Sequence, residues 1–308
     1  EIGKIMAFIN YLVQIMNSLN MLIMSIINFS RAKVSADRIN EVLDVESSIK
    51  DREDAGEINN FDVEFKDVYF KYNKDGEDVL KGISFKALEG EKIGIIGPTG
   101  SGKSSLISLI PRLYDTTSGS VMIGNKDVRN LKINDLRKII GVVLQDTTLF
   151  SGSIADNLRF GMEDANEEMM ESATKDAQAF EFITSSNEGY NREVGQRGKN
   201  LSWGQKQRIS IARTLIKNPK ILILDDSSSA LDMATESKLQ NSIKNRMKDA
   251  TVFLIAQRIS AVMDSDKIIV LDNGEIAAIG THKELIKNCE IYRSIAISQL
   301  GEEVVLNV

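Results

Sequence analysis

The sequence predicts an α/β fold preceded by one membrane-crossing helix, on three observations. Short apolar runs such as ILIL at 221–224 are too dense for half-exposed strands and fit the centre of a parallel sheet. Helical periodicities separate many of these runs, which is the pattern of an α/β domain. Ahead of them, residues 5–30 contain no charged side chain. The 308 residues are 42% apolar and 27% charged, the balance of a folded chain of roughly one or two domains. A single Cys, Cys289, permits no internal disulfide and no Cys-based metal cage, and suggests a reduced cytosolic setting for most of the chain. A single His, His282, permits no two-His metal site. The net charge of −6 argues against a nucleic-acid partner, which would meet a basic face.

Residues 1–45 are read as a membrane helix with its cytosolic extension. As a helix, 5–30 is long enough to cross about 30 Å of hydrocarbon. Asn10, Gln14 and Asn17 share one face of it. Inside a membrane such side chains turn toward other helices or a water-filled cavity. Arg31, Lys33 and Arg38 follow at once and put the C-terminal side in the cytosol. The competing reading is a buried amphipathic helix of a soluble protein. The first residue is Glu1 and no basic region precedes the apolar run, unlike a signal peptide. A chain cut from something longer is expected.

Residues 46–60 are charged and read as a linker. Over 61–300, strands are expected at 63–72, 79–86, 92–96, 121–123, 141–144, 221–224, 252–255 and 267–271. Between Asp146 and Pro219 no strong strand pattern occurs. A helical insertion is expected over about 146–218, with helices near 166–179 and 204–217. Residues 301–308 are left as a tail.

The chemistry concentrates in Gly97-Pro98-Thr99-Gly100-Ser101-Gly102-Lys103-Ser104. This run follows the apolar strand KIGII and precedes the helical SSLISLI, the context a phosphate-binding loop requires. Glycines let backbone N–H groups turn inward around phosphate oxygens. The helix start adds partial positive charge. Lys103 is expected to reach the β- and γ-phosphates, and the Ser104 hydroxyl to ligate Mg²⁺. Asp225 ends the 221–224 strand, where a carboxylate can bind Mg²⁺ directly or through water. An ordinary Gly-rich turn and a plain strand-ending Asp are the bland alternatives; loop and acid together outweigh them.

Further motifs carry a resemblance. Leu201-Ser202-Trp203-Gly204-Gln205, followed by KQRISIARTLIKNPKILILDD, resembles the signature motif and Walker B region of ABC transporter ATPases. Gln145 in VVLQD resembles the Q-loop glutamine, a Mg²⁺ ligand that also senses the transmembrane part. Tyr72 in FKY resembles the aromatic that stacks on adenine. Ser229-Ala230-Leu231-Asp232 resembles the D-loop, and 192–198 the exporter-specific X-loop, with Gln196 where the family usually has Glu. The resemblance covers nearly the whole chain. It implies a P-loop NTPase: a RecA-like core with an antiparallel β subdomain and the helical insertion. It implies ATP and Mg²⁺ as ligands, with ATP held by Tyr72, Gly97, Thr99, Gly100, Ser101, Gly102, Lys103, Ser104, Ser105 and Gln145. Ser104, Gln145 and Asp225 would hold the metal, and Lys103, Asp226 and Gln257 would act on the γ-phosphate.

Three departures from the family pattern stand out. The residue after the Walker B Asp is usually a Glu that polarises the attacking water; here it is Asp226. LIAQRIS resembles the switch region, which normally carries a His; here it is Gln257, which can donate a hydrogen bond but cannot gain a proton. Trp203 stands where the family usually has Gly. Its indole either blocks the partner's nucleotide or turns away to pack. His282 is read as a helix-start or packing residue, and Cys289 as a buried or partly buried structural thiol.

Asp226 and Gln257 together resemble the degenerate subunit of a heterodimeric ABC exporter. Two ATP molecules would lie between two nucleotide-binding domains, with this chain's signature residues capping the partner's ATP. The expected partners are a second half-transporter, the lipid membrane and a transported small molecule, with the chain in the cell membrane and its ATPase domain in the cytoplasm. Alternatives are an active homodimeric exporter and a soluble ABC ATPase without transport. The transported substrate is not readable from these residues.

Overall fold

The computed structural model describes residues 1–47, 49–51, 58, 60–227 and 231–302. They fall into two compact units, 1–50 and 51–308. The first unit is built on one helix, α1 (Ile2–Leu43), of 42 residues. At 1.5 Å per residue it spans about 63 Å, well beyond a bilayer's hydrocarbon core of about 30 Å. It is long and apolar enough to cross a membrane, with a mean hydropathy of 1.5. No residue of α1 is buried within its own unit. Asn10, Gln14 and Asn17 are exposed along it.

In the second unit, β1 (Val63–Phe70) and β2 (Leu80–Ala87) alternate buried and exposed side chains. β3 (Lys92–Ile96) is almost wholly buried and runs through the Gly-rich loop into α2 (Lys103–Ser108). β4 (Ser118–Ile123) and the short β5 (Lys126–Asp127) precede α3 (Ile133–Ile139) and β6 (Ile140–Val143). The insertion then carries β7 (Gly152–Ser153), α4 (Ile154–Arg159), α5 (Glu167–Asp176), α6 (Phe180–Thr184), β8 (Glu193–Val194) and α7 (Trp203–Leu215). The chain returns through β9 (Ile221–Asp225), α8 (Met233–Arg246), β10 (Thr251–Ile255) and α9 (Ile259–Val262). It ends on β11 (Lys267–Asp272), β12 (Glu275–Gly280), α10 (His282–Asn288) and α11 (Glu290–Leu300).

Two main sheets result. β2-β1-β4-β5 is antiparallel; β12-β11-β3-β10-β9-β6 is parallel except for β12. The period of two divides the large sheet's side chains between two cores. Ile221, Ile223, Phe253 and Ile255 join Phe65 and Phe85 of the antiparallel sheet on one face. Leu222, Leu224, Val252 and Leu254 meet the insertion helices on the other, through Ile209, Ala212 and Leu215 of α7. Phe85 and Phe253, with ring centroids 6.5 Å apart, bridge the sheets.

Several boundaries differ from expectation. The strand expected over 63–72 ends at Phe70, because 73–76 closes a turn in which Gly76 N–H donates to Asn73 O at 3.0 Å. The insertion does contain strand, the two-residue ribbon β7–β8, too short to show a pattern. The helix expected over 204–217 starts at Trp203, where Ser202 and Gln205 form a capping box. It stops at Leu215, shortly before Asn218-Pro219. β12 went unpredicted: its exposed, Ala-containing EIAAIG lacks the β-branched density of the inner strands.

Candidate functional site

Four neighbouring parallel strands, β3, β10, β9 and β6, deliver the key side chains at their carboxyl ends. That end of an open parallel sheet is where α/β proteins bind ligands. β3 supplies the loop 97–104, β9 supplies Asp225 and Asp226, β10 leads to Gln257 and β6 to Gln145. They line one cavity of about 320 Å³, which includes Thr99, Gly100, Gly102, Lys103, Ser104 and Ser105.

Two of the loop's glycines, Gly97 and Gly102, have no room for a side chain. A Cβ on Gly97 would lie 2.0 Å from the Leu271 carbonyl oxygen. Gly102, at φ +96°, turns the chain into α2 in a conformation other residues resist. Lys103 Nζ donates to the carbonyls of Gly97 at 2.9 Å and Pro98 at 2.7 Å. Burial holds its pKa below the ordinary lysine value, against the pull of Asp225 and Asp226. Ser101 and Ser105 are buried, and Ser105 Oγ bonds Tyr72 Oη at 2.8 Å. Tyr72 stands half exposed, edge-on to Phe70 and Tyr114.

Asp225 is buried, which raises its carboxyl pKa; a hydrogen bond with Ser104 and the Lys103 charge oppose the rise. Oxygen donors from Asp225, Ser104 and Gln145 suit a hard cation. Among the described residues no group of three His, Cys, Asp or Glu could hold a metal. One carboxylate with neutral oxygen donors fits Mg²⁺, which is bound through one or two carboxylates plus phosphate oxygens.

Asp226 has left the strand with φ +44°. Its amide donates to Ile255 O at 2.9 Å. Two side-chain amides converge on its carboxylate: Gln257 Nε2 at 2.9 Å and Gln145 Nε2 at 3.3 Å, both on Oδ2. Burial and then Asp225 push this carboxyl up, while Gln257, Arg258 and Lys103 pull it down.

The residues expected to form the signature motif lie elsewhere. Leu201 is buried; Ser202 caps α7, accepting Gln205 N–H at 3.3 Å, and Gln205 Oε1 accepts Ser202 N–H at 3.0 Å. Trp203 is 53% exposed and so is not packed away within its own unit. Ser229 and Ala230 fall outside the described residues. Leu231 is buried and Asp232 caps α8 through Thr235 N–H at 2.9 Å. His282 begins α10 and its Nδ1 bonds Tyr292 Oη at 2.7 Å; Cys289 is buried.

The sequence did not point to Gln299 of α11. Its amide nitrogen donates to Gln257 O and its oxygen accepts Ile259 N–H, both at 2.8 Å. Nor did it point to Gln207 of α7, whose amide reaches Asp226 O at 3.3 Å. Both depend on helix docking, which no local motif encodes. Phe150 and Phe160 form a further exposed ring pair, 4.4 Å between centroids.

The ABC transporter family model matches residues 80–229. A Bacillus subtilis protein described as an uncharacterized ABC transporter ATP-binding protein, YfiB, is 43% identical over 303 residues, 98% of this chain and 52% of its own length. A putative multidrug export ATP-binding/permease protein of the same bacterium, YgaD, is 44% identical over 287 residues, 92% of this chain and 50% of its own. The beta-(1→2)glucan export ATP-binding/permease protein NdvA of Rhodopseudomonas palustris is 40% identical over 307 residues, 97% of this chain and 50% of its own. Among solved structures, a bacterial Atm1-family ABC exporter with ATP bound superposes with a TM-score of 0.83 at 34% identity, covering 87% of this chain and 47% of that one. The chain spans about half the length of the curated relatives it matches. Phosphate loop and strand-end acids in this order, on this fold and among these relatives, show that the chain carries an ABC transporter domain, with ABC exporter ATP-binding/permease proteins among its homologues.

Proposed function

We propose that this chain is the ATP-binding part of an ABC exporter and the slow-site half of a heterodimer. ATP binding and hydrolysis would drive export of a small molecule across the membrane that α1 crosses. The names of the relatives, with multidrug and glucan export among them, support the transport reading. They do not fix a substrate for this chain.

One observation carries the slow-site reading: Asp226 Oδ2 is the shared acceptor of Gln257 and Gln145. Asp is one methylene shorter than Glu, which leaves its carboxylate about an ångström or more back from the attacking water. Gln257 holds it there and cannot take up a proton. Lys103 and the loop amides would bind the phosphates, and Tyr72 would stack on the base. Bound Mg²⁺, held by Ser104, Asp225 and Gln145, would neutralise phosphate charge. Such a site holds ATP and turns it over slowly.

The raised carboxyl of Asp226 favours a second reading, a working base in a homodimer, since a base is best poised near the operating pH. One experiment separates the two. The isolated chain is expected to bind ATP–Mg²⁺ and hydrolyse it slowly, and Asp226→Glu with Gln257→His to raise turnover by roughly tenfold or more. Fast turnover by the unaltered chain, abolished by Asp226→Asn, would establish the homodimer reading instead.

A further inference from the structure

Gln207 lies on α7 at 0% exposure, and the chemistry above makes no use of it. Its Nε2 donates to the backbone carbonyl of Asp226 at 3.3 Å. Its Oε1 is enclosed and has no hydrogen-bond partner among the described residues. Burying half an amide unpaired is worse than burying a Met or Leu of similar size, so packing alone does not account for this side chain. The bond lands on a residue whose backbone is held in an unfavoured conformation. Asp226 sits in the left-handed region at φ +44°, with its N–H tied to Ile255 O. A pull on its carbonyl turns the peptide that orients its carboxylate.

The same helix carries the signature turn. α7 is a single helix of 13 residues, and its first turn is locked by the reciprocal Ser202–Gln205 capping box. Trp203 and Gln207 are four residues apart and share a helical face. The nucleotide pocket and the turn 201–205 are therefore joined through one buried hydrogen bond.

We infer that Gln207 is a positioning residue that couples occupancy of the nucleotide pocket to the signature turn of the same chain. The inference rests on the ATP-binding reading of the pocket. By linkage, whatever engages the turn 201–205 also biases Asp226.

Trp203 is the sole tryptophan, so its emission reports on that turn. The full chain is reconstituted with one copy per lipid nanodisc, which keeps copies apart. ATP–Mg²⁺ is titrated while Trp203 emission is followed, and binding is measured separately by equilibrium dialysis. A saturable emission change with the dialysis midpoint is expected. Gln207→Met is expected to hold affinity within about threefold yet lose most of the emission change, a split that general loss of structure does not produce. An unaltered response in Gln207→Met, or no response in the parent chain despite binding by dialysis, overturns the coupling. Absence of binding by dialysis overturns the nucleotide reading itself.

Discussion

Gln257 Nε2 donates to Asp226 Oδ2 at 2.9 Å, and Gln145 Nε2 reaches the same oxygen at 3.3 Å. Two amide side chains, one following β10 and one following β6, thus meet on one carboxylate. The Gln257 bond favours the ionised form and opposes the upward push of burial and Asp225. Gln257→Leu removes that bond and raises the Asp226 pKa further. Less of the carboxylate is then ionised at a given pH. The acid limb of the single-turnover ATP hydrolysis profile is expected to move to higher pH. A limb that stays, or moves the other way, would count against Asp226 as the titrating group.

Gln299 fixes the turn behind Gln257 with two bonds of 2.8 Å. Gln299→Ala leaves the Gln257 carbonyl and the Ile259 amide to solvent. A loss of about 1–2 kcal/mol is expected, which at this domain size lowers Tm by roughly 2–8 °C. Hydrogen exchange at Ile259 should accelerate more than exchange in β3 or β9. Uniform acceleration across the domain would instead mean that α11 supports the whole fold.

Lys103 is the only cation among the residues lining the described cavity. Lys103→Ala removes a charge-assisted contact to the phosphates, worth about 1.5–3 kcal/mol, or roughly 10–150-fold in ATP affinity. Equilibrium dialysis reads this directly. Affinity unchanged by the substitution would move the phosphates away from the loop.

Legibility followed distance along the chain. The loop 97–104 is contiguous, and its strand-before, helix-after context is visible in the letters. Strand β9 was legible because five consecutive buried positions leave a run with no polar interruption before Asp225. The meeting of Gln145, Asp226 and Gln257 was not legible, because the three follow the ends of strands β6, β9 and β10, which only the sheet order makes neighbours. The family resemblance named each of the three but not the bonds between them. Gln207 and Gln299 were invisible for the same reason: an amide on a helix gives no sign of the carbonyl it will meet.

Tyr72 Oη bonds Ser105 Oγ at 2.8 Å, and the ring stands half exposed beside the loop. Stacking on a base is worth about 1–3 kcal/mol and tolerates any base. Tyr72→Ala is therefore expected to weaken ATP and GTP alike, by roughly 5–150-fold. Tyr72→Phe keeps the ring and should stay within a few tenths of a kcal/mol to about 1 kcal/mol of the parent. A selective loss for one base would argue for hydrogen-bonded base recognition in place of stacking.

Asp225 shows what the site costs the fold. Burial raises its carboxyl above the ordinary value of 3.8, despite Ser104 and Lys103. The folded chain then binds more protons than the unfolded chain between 3.8 and the raised value. Stability from this group is fully present below 3.8 and is lost as pH rises through the folded value. Asn at 225 never ionises and still offers an oxygen to the Ser104 hydroxyl. Nucleotide-free Asp225→Asn is therefore expected to be more stable than the parent at neutral pH, with the gap closing in acid. Urea unfolding at several pH values from about 3.5 to 7.5 measures the gap. The same variant should lose Mg²⁺-dependent ATP binding, because a neutral amide is a poor ligand for a hard cation. A gap that does not change with pH would mean that Asp225 is paired well enough in the fold to ionise without penalty. The residue best placed to hold the metal would then be one whose charge the fold tolerates without cost.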